Sequence, residues 1–152
     1  MSTSSTLDAL QRTLAAEHAA IFLLAALGGR ASTTQPSAPE SAQNSALHSA
    51  LDGAYAAHIE RRDQLRTMIA AVGAEPVASE PAYRLPVSLT STAEIRAEAL
   101  RVERACTTTY AALVAATANE DRRWAIDALI ATSVGQLTFG GRAEALPGIA
   151  PV

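Results

Sequence analysis

Glu17 stands where a leucine belongs. Stepping by threes and fours from Leu7 gives Leu10, Leu14, Glu17, Ile21, Leu24 and Gly28, which places one carboxylate in the middle of a helical core seam. An unpartnered carboxylate in a core is costly, so Glu17 needs a cation, a metal or a hydrogen-bonding neighbour. A second segment with the same stepping, Leu47, Leu51, Ala54, His58, Arg61, Leu65, Met68 and Val72, is interrupted at mid-core by His58 and Arg61. A third brings Glu103. Two carboxylates and an imidazole, with the Tyr55 phenol three residues before His58, are the donors of a reduced site for one divalent metal ion. The same groups also make a metal-free polar core, Glu17 pairing with His58 or Arg61, and that structural arrangement is the commoner one.

The remaining reactive side chains read as structural. Tyr55 and Tyr110 suit core aromatics whose hydroxyls find a polar partner. Cys106 falls on the stripe Ile95, Ala99, Val102, Thr109 and Leu113, as a small buried hydrophobe would. His18 and His48 are expected to face outward or sit at a helix interface, and Trp124 to plug one end of a bundle. No serine or cysteine stands in a nucleophile elbow, so no hydrolase is indicated.

Four helices would position these groups. Thr6 is expected to cap the first, over about 7–27, which Gly28 and Gly29 end. A Ser/Thr/Pro/Gln-rich loop follows from Arg30, then a second helix over about 40–72 that stops at Gly73. Residues 74–90 hold Pro76, Pro81 and Pro86 and cannot form a continuous helix. Ser91 and Glu94 have the spacing of a capping box, starting a third helix over about 92–118. Asn119 is expected to cap a fourth over about 120–139, ended by Gly140 and Gly141, with residues 142–152 as a tail that packs extended or frays. The chain is all-α, one domain over 1–152. The short third-to-fourth connection makes those helices antiparallel neighbours, and the first two form a second hairpin. A 25-residue helix is about 37 Å long, and the roughly 17-residue proline-rich link reaches about 55 Å when extended. It is long enough to cross the bundle from end to end.

Composition narrows the function classes. Apolar residues make up 49% and aromatics only 4%, so the core is built from Ala, Leu, Val and Ile. A net charge of -3 and the absence of any basic run interleaved with aromatics argue against nucleic-acid binding. A single cysteine excludes an internal disulfide and a Cys-rich zinc site. The apolar stretch 19–27 is too short to span a bilayer, and residues 1–6 lack a basic leader region. A cytoplasmic protein with no membrane partner is expected.

The segments LQRTLAAEHAA at 10–20, YAAHIERRDQL at 55–65 followed by GAEP at 73–76, YRLP at 83–86 and VERAC at 102–106 together resemble an actinobacterial ferritin-like family of unassigned function. The resemblance runs from Leu7 to about Gly148. It implies a ferritin-like four-helix bundle, two antiparallel hairpins joined by a long proline-rich crossover. Di-metal proteins of that architecture place a Glu on each of two helices and a Glu-x-x-His on each of the other two. Here Tyr55 replaces one such glutamate, and the fourth helix offers only Asp127, Ser133 and Gln136. The expectation is a degenerate di-metal site in a non-catalytic structural or interaction module, partnered by a second copy or another protein, with no cofactor or at most one divalent ion. Two alternatives stay open: a metal-binding protein using Glu17, His58 and Glu103, and a small-molecule-binding bundle.

Overall fold

The helix boundaries are set by caps, glycines and burial in competition. A computed structural model of the chain describes residues 3–33, 41–85 and 89–149. It has four helices, α1 (Thr3–Thr33), α2 (Ser41–Ala71), α3 (Thr92–Ala116) and α4 (Asn119–Thr138), with no strand among the described residues. The α3 start is as read from sequence: the Ser91 side chain accepts from the Glu94 N–H while the Glu94 carboxylate accepts from the Ser91 N–H. α2 closes on Gly73, whose left-handed φ of 77° lets its N–H reach Ala70 O and the Ala74 N–H reach Ile69 O.

Three expectations about helix ends are corrected. α1 runs through Gly28 and Gly29 to Thr33. A helical glycine costs about 1 kcal/mol relative to alanine, which the complete burial of Leu27 and Ala31 offsets by holding the last turns on the core. Thr6 is inside α1, where its Oγ1 donates to Ala116 O at 2.7 Å and ties α1 to the end of α3. Asn119 is no cap either, for Ala118 takes that position without a side-chain bond and Asn119 has φ 51°. The connection itself, Thr117 and Ala118, is extended, and Asn119 opens α4 in a left-handed conformation that asparagine tolerates better than most residues. The remainder of the loop expected after Arg30, and Pro86, fall at 34–40 and 86–88, outside the described residues.

α1 is the centre of the packing, with broad contacts to α2 and α3, while α3 packs on α4 and α2 barely touches α4. Leu10, Leu14, Leu24, Leu47, Leu51, Leu65, Ile95 and Leu113 are almost completely buried. Val72, the last position of the second stepping, is half exposed instead, and Ile69 takes the buried place. By length and composition α1 is long and apolar enough over Ser4–Ser32 to cross a membrane, longer than the short stretch at 19–27 suggested. Along the described part of the link, Gln11 bonds Glu75 O and the Val77 N–H, His18 bonds Val77 O, and the Phe22 ring meets Tyr83 at 5.5 Å. The tail folds back onto α3: a side-chain carbon at Gly148, φ 76°, would lie 2.5 Å from Thr107 O.

Candidate functional site

α1, α2 and α3 each deliver one ionisable group to the same buried layer. Glu17 and His58 are completely buried and Glu103 is 2% exposed. His58 Nδ1 lies 2.6 Å from Glu17 Oε2, and its Nε2 lies 3.4 Å from Glu103 Oε1. The Tyr110 hydroxyl donates to Glu17 Oε1 at 2.7 Å. Both ring nitrogens of His58 therefore face carboxylates, and Glu17 has hydrogen bonds to both its oxygens.

The proton belongs on His58 in this arrangement. Burial by itself pushes the imidazole pKa down, but the hydrogen bonds and negative charges of Glu103 and Glu17 outweigh it and raise it to about 9. Both nitrogens then donate. Burial pushes the Cys106 thiol well up, and the two carboxylates push the same way. Burial and then the charge of Glu17 likewise raise the Tyr110 phenol, which stays a donor.

Not every residue suggested by the sequence is in the layer. Tyr55 is 36% exposed, and the phenol that reaches the layer is that of Tyr110. Arg61 is half-buried beside it and makes no ion pair with Glu17, whose partner is His58. On α4, Asp127 is exposed, Ser133 bonds its own helix at Leu129 O, and Gln136 donates to Thr107 Oγ1 at 2.8 Å. Position 135 matters more: a side-chain carbon there would sit 3.1 Å from Glu103 Oε2, so Gly135 leaves the space that the carboxylate fills. Tyr110 was read from sequence as a core aromatic whose hydroxyl finds a polar partner, and Glu17 is that partner, but it was not counted among the site residues although it lies four residues after Cys106 and three before Leu113 on one stripe. Gly135 carried no signal in the sequence. His18 reaches Val77 O, Cys106 is buried, and Trp124 packs edge-on against Tyr110 at 5.9 Å.

Two adjacent metal ions do not fit this donor set. They need bridging carboxylates and imidazoles from opposing helices, and α4 brings none. A single ion has a nearer approximation, because donor atoms of Glu17, His58 and Cys106 lie within 4.8 Å of one another. To use them it must displace the His58 proton and a thiol proton that burial holds tightly.

A family model described as a domain of unknown function (DUF4439) matches residues 9–151. The crystal structure of a conserved hypothetical protein, rv2844, from Mycobacterium tuberculosis is similar at TM-score 0.77 and 27% identity, covering 92% of this chain and 98% of that one. No curated protein matches the chain.

Proposed function

Because the chain belongs to the DUF4439 family, whose description assigns it no activity, we propose that it is a non-catalytic ferritin-like module in which a proton on His58 takes the place of core metal. The observation that carries this reading is the imidazole flanked by two carboxylates, 2.6 Å from Glu17 and 3.4 Å from Glu103. An imidazolium there supplies the positive charge that the carboxylates of a ferritin-like layer otherwise obtain from metal.

The helix contacts support the ferritin-like part. Thr6 meets Ala116 and Thr13 meets Thr109, an opposed sense for α1 and α3. Arg96 bonds Thr138 O and Glu103 abuts Gly135, an opposed sense for α3 and α4. Glu17 meets His58 while Gln11 reaches Glu75 just beyond α2, the same for α1 and α2. Two antiparallel pairs so arranged favour a proline-rich link that returns along the bundle, and the contacts of its described part with Gln11, His18 and Phe22, which ascend α1 in that order, support the same reading. The mycobacterial neighbour favours an actinobacterial source. We place the protein in the cytoplasm, since its cysteine is a buried free thiol and α1 buries Glu17 against α2 and α3.

Purified without chelators, the protein is expected to hold well under one metal ion per chain and to oxidise added iron(II) no faster than buffer. About two irons per chain with turnover would overturn the proposal. A tight single zinc or manganese would favour the alternative, a metal-binding protein using Glu17 and His58 with Glu103 or Cys106.

A module without core chemistry acts through its surface, and α4 presents the means. Ile126, Ile130, Val134 and Leu137 recur at helical spacing and are 39–56% exposed. We assign this stripe to self-association rather than to nucleic acid or membrane. The wild type is expected to run as a dimer in light scattering and Ile130→Glu as a folded monomer. A monomeric wild type at high concentration would refute the assignment.

A further inference from the structure

α2 and α4 scarcely touch, and the space between them is a groove of about 340 Å³. Its walls are small: Gly53, Ala54 and Ala57 on α2, with Ala131, Val134 and Gly135 on α4. Two residues of opposite charge line it as well, Glu103 and Arg61, and no ion pair joins them among the described residues. Glu103 is nearly fully buried and borders the groove at Gly135, which has no side chain to cover it.

The hydrogen bonding of Glu103 is incomplete. A carboxylate offers about four acceptor sites, and the side-chain donor placed on this one is His58 Nε2 at 3.4 Å, near the outer limit of a hydrogen bond. The imidazolium is drawn instead to Glu17, at 2.6 Å. The imidazolium is thus shared unequally between two carboxylates, the Arg61 side chain is the second positive charge beside the layer, and Glu103 is the carboxylate that faces the groove. A cation entering there would be stabilised, yet Arg61 disfavours a ligand that is cationic only. An anion would be attracted by Arg61 and disfavoured by Glu103. A molecule carrying both charges satisfies both residues.

We propose that this groove binds a small zwitterion, an α-amino acid with an aliphatic side chain, its ammonium on Glu103, its carboxylate on Arg61 and its apolar body against the alanine walls. The volume lies at the small end of ligand pockets, which suits such a molecule. The proposal rests on the protonated layer described above, because a metal there would occupy Glu103.

The full chain should be titrated at neutral pH with L-valine, L-leucine, 3-methylbutylamine and 4-methylpentanoate, following backbone and imidazole nitrogen resonances in the same samples. One of the amino acids is expected to bind at least about tenfold more tightly than either singly charged analogue. Arg61→Gln and Glu103→Gln should each weaken that binding by about tenfold or more, and Ala57→Met, which fills the groove from its wall, should abolish it with helicity retained. Failure of both amino acids to bind at tens of millimolar, an amine that binds as tightly as its amino acid, or unchanged binding in folded Arg61→Gln would overturn the proposal. If His58 shows two imidazolium nitrogens throughout, such a failure refutes the ligand alone; if it does not, the reading of the layer fails.

Discussion

Glu17→Leu, with nothing else changed, is expected to destabilise the protein by about 4 kcal/mol, the cost of breaking a buried ion pair from one side. The replacement fits the seam and creates little cavity, so the loss comes from the groups left behind. His58 would keep only its long contact to Glu103, and the Tyr110 hydroxyl would have no acceptor in a fully buried position. For a chain of this size the midpoint of thermal unfolding should fall by about 10 °C. Adding His58→Leu removes the stranded imidazole, while Glu103 can take water from the groove it borders. The double variant should therefore recover at least half the loss. A urea-denaturation cycle over both single variants and the double measures the coupling. Losses that simply add would show that Glu17 and His58 do not interact.

Stability should also decline on the alkaline side of neutrality. In the unfolded chain His58 titrates near its ordinary 6.5, and in the folded protein at about 9. Below 6.5 both states hold the proton and the stabilisation is complete. Between the two values only the folded state holds it, so each pH unit lowers the unfolding free energy by about 1.4 kcal/mol. The total lost on passing through the folded pKa is on the order of 3 kcal/mol, larger than most single surface changes. Melting temperature should thus be flat on the acid side of this window and fall steadily across it. Burial of the Cys106 thiol, pushed above its ordinary range, adds a further decline at the alkaline end. His58→Gln should remove the slope of the neutral window and leave that alkaline decline. An unchanged profile in His58→Gln would show that the proton is not held between the two carboxylates.

The sequence by itself determined the four helices and the chemistry at their middle. Helical spacing marks which face of a segment is apolar, so Glu17 and His58 were legible as interruptions of a seam, and Glu103 as a third polar group at comparable depth. The Ser91 and Glu94 cap and the stop at Gly73 were legible because each is a local interaction within a few residues. Tertiary structure alone decided which partners met. Tyr55 and Tyr110 were equivalent as residue types, but Tyr55, three positions before His58, is exposed, whereas Tyr110 comes from another helix and reaches Glu17. Arg61 was as good a partner for Glu17 as His58 on spacing, and the rotation of α2 against α1 chose the imidazole. The same holds for α1, where glycines that end an isolated helix were overruled by burial of Leu27 and Ala31 against the rest of the fold. Periodicity specifies what is buried, but rotation and approach between helices set distances. A difference such as 2.6 Å to Glu17 against 3.4 Å to Glu103, with the groove beside Gly135, arises only when all four are packed.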